Sequence, residues 1–101
     1  MSQLLHQPQR LKRAAQFMKV LSHPNRMLVV DLLLDRGGLT VGTIAETLGL
    51  SQSNTSQQLK ALEMAGVLRS DRQGKSILYS MDHPGIAQLM RCINACIDCD
   101  R

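Results

Sequence analysis

The run "LTVGTIAETLGLSQSNTSQQLKALEMAGVL", Leu39 to Leu68, decides how the chain folds. Thr40 is placed to cap a short helix carrying Val41, Ile44, Ala45 and Leu48, and Gly49 is placed to end it. Ser51 then caps a longer helix whose apolar side takes Thr55, Leu59, Leu62 and Met64. Two helices joined by a tight glycine turn are the sequence form of a helix-turn-helix, here over about residues 40–65. In that motif the second helix enters the DNA major groove by its N-terminal residues.

The polar side of that second helix agrees. Gln52, Ser53, Asn54, Ser56, Gln57 and Gln58 supply short uncharged donors and acceptors, and no acid occurs before Glu63. Groups of this kind read base edges, whereas an ordinary surface helix mixes Glu and Lys into such a face. The expected DNA-binding positions are Gln52, Ser53, Asn54, Thr55, Ser56, Gln57 and Lys60.

Working outward, "SHPNRMLVVDLLLDRGG" (Ser22–Gly38) places Pro24 in a helix's first turn, an apolar body from Met27 to Leu34, and a glycine pair as the stop. Before it, Leu11, Ala14, Ala15, Met18 and Leu21 recur at helical spacing, which predicts a first helix over about 9–21. Beyond the helix-turn-helix, "VLRSDRQGKSILYSM" (Val67–Met81) predicts a β-hairpin over about 67–81 that turns at about Asp71 to Gly74. Arg69, Arg72 and Lys75 are expected in or near its tip, with Arg72 and Lys75 able to meet phosphates or a minor groove. Ile86, Leu89, Met90, Ile93 and Ile97 make one apolar stripe on a final helix over about 84–99.

Composition is consistent with this plan. A chain of 101 residues is one small domain. With one Phe, one Tyr and no Trp, its core is aliphatic, which suits helices. At 44% apolar and 20% charged it has the balance of a soluble domain, and no apolar run approaches the roughly 18 residues of a membrane span. The N-terminus has no apolar stretch followed by a small-residue cleavage site, so a cytoplasmic location is expected. Net charge is +4, and five cations (Arg10, Lys12, Arg13, Lys19 and Arg26) precede the first acid, Asp31. This favours a polyanion partner.

Taken together, "LSHPNRMLVVDLL", the opening run and "RSDRQGKSILYSM" resemble the ArsR/SmtB family of bacterial ligand-responsive repressors. The Ser-His-Pro-x-Arg helix start, the Leu-Ser-x-Ser-x-x-Ser-Gln-x-Leu recognition helix and the Gly-x-x-x-x-Tyr second wing strand occur in order, and the likeness covers roughly residues 11–90. It implies a mainly α winged helix-turn-helix with a small β-hairpin wing, a homodimer joined through the first and last helices, and a twofold-symmetric double-stranded operator released when an inducer binds. Many relatives have His after the Ser-Gln pair, where this chain has Gln58. Dimerisation is also expected from the chain itself, since two striped terminal helices need a second copy to cover them.

All three cysteines, Cys92, Cys96 and Cys99, lie in "CINACIDC". The Cys-x-Cys site that the family builds on the second helix is absent, since that run reads "VVDLLLD". The family's zinc site across the last helices finds Asp82 and His83 but meets Ala95 and Asp98 at its later positions. A sulfur sensor pairing a second-helix cysteine with one in the last helix lacks the first of the two. At about 100° per residue, the thiols form a stripe beside the apolar face of the last helix. They are the expected metal ligands, for arsenite or for Cd, Pb or Zn, with Asp98, Asp100 or His83 able to assist. Cys92 and Cys99 stand roughly 10.5 Å apart along an ideal helix, so one ion reaches all three only if the last turn frays or a second chain contributes.

Persulfide, polysulfide or disulfide chemistry at the same cysteines is the alternative, and a ligand-insensitive DNA-binding regulator is a further one. Cys96-x-x-Cys99 lacks the βαβ surroundings of a thioredoxin-like pair, and no nucleophile elbow or paired carboxylates are visible, so no enzyme is expected.

Overall fold

The computed structural model describes residues 3–99. Nine elements follow in order: α1 (Gln3–His6), α2 (Pro8–Leu21), α3 (Pro24–Arg36), β1 (Leu39–Thr40), α4 (Val41–Leu48), α5 (Gln52–Met64), β2 (Leu68–Gln73), β3 (Ser76–Met81) and α6 (Ile86–Asp98). Pro8 and Pro24 each sit in the first turn of a helix, where a missing N–H costs nothing.

The core is the apolar side of α3 closed from both directions. Val29, Val30, Leu32 and Leu33 of α3 are buried together with Ile44 of α4, Leu59 and Leu62 of α5, Val67 and Leu68 at the start of the hairpin, and Ile86 and Met90 of α6. Each such side chain stabilises the fold by about 1.5–3 kcal/mol relative to exposure.

Caps define the central motif. The Thr40 hydroxyl accepts from the Thr43 N–H at 3.3 Å, and the Ser51 hydroxyl accepts from the Asn54 N–H at 3.0 Å. Gly49 adopts φ 69°, its N–H reaches the Glu46 carbonyl, and the Leu50 N–H returns to the Ala45 carbonyl at 3.0 Å. This left-handed double closure turns the chain sharply from α4 into α5 and favours glycine. Gly66 ends α5 in the same manner, with the Val67 N–H returning to the Leu62 carbonyl at 2.9 Å.

The wing is larger than the hairpin expected from sequence. β1, β3 and β2 form a three-stranded antiparallel sheet in that order, with Leu39 opposite Tyr79 and Leu68 opposite Met81. Pairing continues to Gln73 opposite Ser76, so the turn is Gly74-Lys75 and not Asp71 to Gly74. Arg69 is consequently at the base of the wing, opposite Ser80, and not near its tip. Its guanidinium meets Asp71 at 3.4 Å and Asp82 at 3.8 Å.

Two further expectations are corrected. α6 begins at Ile86, because Pro84 lies in a turn in which the His83 Nδ1 accepts from the Gly85 N–H at 3.1 Å. Met64 is 80% exposed and does not belong to the apolar side of α5. It falls about 120° around the helix from Gln52, on the solvent side.

The wing is tied to α5 by polar contacts at its base. Ser70 donates to the Glu63 carboxylate at 2.6 Å. Tyr79 lies on the same face of the hairpin, and its phenol is pushed above its usual 10.0 by burial and by the negative charge of Glu63. The phenol is thus held neutral in the folded chain. Its contribution is intact below pH 10.0 and is lost as pH rises through the elevated folded value.

Leu59→Ala is expected to cost about 2–5 kcal/mol of stability in urea unfolding at fixed protein concentration, whereas Met64→Ala stays within about 0.5 kcal/mol of the native chain. Equal losses for the two would contradict the assigned faces of α5. Between pH 8 and 11 the native chain should lose more stability than the Tyr79→Phe variant, and parallel curves would remove Tyr79 from the alkaline response.

Candidate nucleic-acid interface

Helix α5 is fixed from behind and open in front. Leu59 and Leu62 are fully buried, and so is Thr55, whose hydroxyl donates to the Ser51 carbonyl at 2.9 Å. Thr55 is therefore a core residue and is corrected from the expected DNA-binding set: with no exposed surface, it has nothing to offer a ligand.

The remaining expected residues divide by exposure. Gln52, Ser53, Ser56, Gln57 and Lys60 are exposed, and at about 100° per residue they share one arc of about 140°. They offer amides, hydroxyls and one ammonium with no carboxylate among them. Glu63, the one acid of α5, falls at about 20° on the same arc but at its C-terminal end, where it is half-buried and held by Ser70.

Asn54 and Gln58 border this face and are half-buried. Their side chains bond to each other, from Gln58 Nε2 to Asn54 Oδ1 at 2.9 Å. Arg26 of α3 completes the arrangement: its Nε donates to Gln58 Oε1 at 2.9 Å and its Nη1 to the Val20 carbonyl at 3.0 Å. This contact was not visible in the sequence, where Arg26 counts as one of the N-terminal cations and as the end of the Ser-His-Pro-x-Arg helix start. It is an internal fastener between the end of α2 and α5.

The wing supplies the flanking cations. Along β2, Arg72 alternates onto the same face as Leu68 and Ser70, the face that meets α5, and Lys75 lies in the turn. Both are exposed, and neither has an acid within ion-pair distance among the described residues. Arg10, Lys12, Arg13 and Lys19 are exposed along α2. The result is a reading face with one ammonium and no exposed carboxylate, flanked by the free positive charge of the wing, which can hydrogen-bond base edges and pair with phosphates.

The cysteines lie elsewhere. Cys92 and Cys96 stand on α6 and Cys99 caps it, and all three are free and exposed. Among the described residues no group of three or more His, Cys, Asp or Glu is gathered as a metal would require. His83 is engaged away from them, stacked obliquely on Phe17 at 5.2 Å between ring centroids. Asp100 lies outside the described residues.

Comparison with known proteins places this geometry. A family model described as "Helix-turn-helix domain" matches residues 21–71. The uncharacterised HTH-type transcriptional regulator Rv0081 of Mycobacterium tuberculosis is 39% identical over 79 residues, covering 78% of this chain and 69% of the relative. Its crystal structure superposes with a TM-score of 0.78 over 92% of this chain and 91% of that one. The crystal structure of the transcriptional repressor BigR from Xylella fastidiosa is similar at 32% identity and a TM-score of 0.80, covering 93% of this chain and 94% of that one. A solution structure of the homodimeric winged helix-turn-helix DNA-binding domain of Mb0332 from Mycobacterium bovis gives 0.81 at 26% identity, over 92% and 85% of the two chains. These relatives are transcriptional regulators and not enzymes. The capped α4-turn-α5 unit, the three-stranded wing and these matches show together that the chain belongs to the ArsR/SmtB family of winged helix-turn-helix transcriptional repressors.

Proposed function

We propose that the protein is a homodimeric repressor that reads a twofold-symmetric DNA operator with α5 and leaves it when the thiols of α6 are engaged by an inducer. The observation that carries the DNA reading is the exposed, acid-free face of Gln52, Ser53, Ser56, Gln57 and Lys60, set on a helix whose opposite side is fully buried. A rigid backing matters because base readout depends on side chains held in register with the groove.

Pairing of two copies is supported by what one chain leaves uncovered. Leu11 and Met18 of α2 are 50% and 49% exposed, and Ile97 of α6 is 64% exposed, although all three lie on apolar stripes. Only the first half of α6, through Ile86 and Met90, is buried within its own chain. A second copy covers both stripes and sets two recognition helices about 34 Å apart, one turn of DNA. The homodimeric state of the M. bovis relative favours the same arrangement.

The proposed input is thiol chemistry on α6. A single soft ion gripped by all three thiolates of one chain does not fit, because α6 stays helical through Asp98 and no three-ligand group is gathered among the described residues. Arsenite, Cd, Pb or Zn therefore requires ligands from a second copy beside Cys96 and Cys99. Free, exposed thiols with no third ligand nearby favour a second reading, in which a persulfide or oxidant modifies the cysteines. In either case an inducer that prefers one dimer geometry shifts the spacing of the recognition helices, and each 1.4 kcal/mol or so of coupling lowers operator affinity tenfold.

Two measurements test this reading. Fluorescence anisotropy against duplexes selected from a randomised library should show Gln57→Ala losing about 1–3 kcal/mol on the selected sequence. Arg72→Ala should weaken all sequences alike and lower the salt slope by about 1. Binding equal to the native chain for both variants would refute the assigned face. For the input, the reduced chain on its selected duplex is titrated with arsenite, Cd, Pb, Zn, persulfide and peroxide, with native mass spectrometry separating bound ion from sulfur adduct. The Cys92→Ser/Cys96→Ser/Cys99→Ser variant should bind the duplex normally and ignore whichever agent releases the native chain. Unchanged release would dismiss the thiols as the input.

A further inference from the structure

We propose that Arg26, Gln58 and Asn54 form a one-way hydrogen-bond chain that fixes the orientation of the Asn54 amide, turning Oδ1 inward and presenting its Nδ2 as a donor to a hydrogen-bond acceptor on the DNA. The proposal rests on α5 being the DNA-reading helix.

The direction of the chain follows from the chemistry of its first member. A guanidinium has donors and no acceptor. The Gln58 atom facing Arg26 Nε at 2.9 Å must therefore be the carbonyl oxygen, which turns the Gln58 amide nitrogen toward Asn54. That nitrogen also has only donors, so the Asn54 atom that meets it at 2.9 Å must be Oδ1. Reversing either amide would set donor against donor. The ordinary freedom of an asparagine to exchange its two ends is thus removed by a cation on another helix, and the same cation is steadied by its bond to the Val20 carbonyl at 3.0 Å.

What remains free is Asn54 Nδ2. No acceptor takes it up among the described residues, and no buried side-chain nitrogen or oxygen there lacks a partner, so Nδ2 is open to solvent. Asn54 is the third residue of α5, in the turn that leads into the groove, and it stands about 60° around the helix from Gln57. An unconstrained asparagine offers donor and acceptor together, the pair that matches adenine N6 and N7. Asn54 has its Oδ1 turned inward to Gln58 and presents its Nδ2 donor outward. It suits an acceptor instead, either guanine O6 or N7 on a base edge or an oxygen of the backbone phosphate.

Gln58→Glu tests the chain, because a carboxylate keeps the bond from Arg26 but cannot donate to Asn54. With its Oδ1 facing that carboxylate, the asparagine is expected to reverse and present an acceptor to the DNA. The added charge penalises binding whatever Asn54 does, so the informative quantity is the double-mutant cycle with Asn54→Ala, in which that penalty cancels. Affinity for the selected duplex should fall about fivefold more when Gln58→Glu is made in the native background than in the Asn54→Ala background. Equal falls would overturn the proposal. Repeating the cycle on duplexes carrying 7-deazaguanine, O6-methylguanine or single methylphosphonates identifies the acceptor: coupling that vanishes with one of them supports the proposal and names it, and coupling untouched by all of them refutes the donor role.

The native chain supplies a readout that does not depend on any variant folding. In amide NMR the Gln58 side-chain NH2 should exchange more slowly with solvent than that of Gln52, and equal exchange would contradict the chain. If the native protein binds no duplex at all, the DNA reading fails, while this exchange measurement still judges the hydrogen bonds.

Discussion

The burial of one side of α5 is the constraint on which the rest of the molecule depends. Thr55, Leu59 and Leu62 leave no surface to solvent, and Leu59 and Leu62 share one core with the apolar side of α3 and with α4. Once those three positions are fixed, the helical period sends Gln52, Ser53, Ser56, Gln57 and Lys60 outward. The glycine closures at Gly49 and Gly66 set where the helix enters and leaves. The wing is then anchored to the far end of the same helix by Ser70 on Glu63, which brings Arg72 to the side of the reading face.

The helix-turn-helix was legible from sequence because its punctuation is local chemistry. Thr40, Ser51 and Gly49 each perform their roles within three or four residues of themselves. β1 was not legible, since two residues, Leu39 and Thr40, carry no alternation and become a strand only through pairing with Tyr79 and Leu78. The wing turn was placed too early because Arg69 to Gln73 is polar throughout and hides its strand periodicity. Met64 and Thr55 were separable by helical arithmetic alone, about 120° against about 300° from Gln52. Arg26 was visible as the last residue of the Ser-His-Pro-x-Arg helix start, but its bond to Gln58 was not, because that partner is 32 positions away.

The terminal helices carry a different lesson. Their stripes were correctly seen as apolar, but within one chain only Leu21 of α2 and Ile86 and Met90 of α6 are buried. The residues left over, Leu11, Met18 and Ile97, fall in the proposed dimer on a surface completed by the second copy. The cysteines sit on the outer half of α6, beyond its last buried residue, where the helix is least held by its own chain. A chemical change there would meet little resistance from the core, and it would act on the element proposed to hold the dimer together. The α2 helix touches the same logic from the other side, because its Val20 carbonyl is the outer end of the Arg26 fastener on α5.

On this proposal DNA meets the α5 face and the wing of a paired chain. An amide NMR titration of the isotope-labelled, reduced protein with its selected duplex tests this most directly. Shifts should concentrate at Gln52, Ser53, Ser56, Gln57, Lys60, Arg72 and Lys75, saturating at one duplex for two chains. Shifts confined to the basic residues of α2, with the α5 face unmoved, would contradict it.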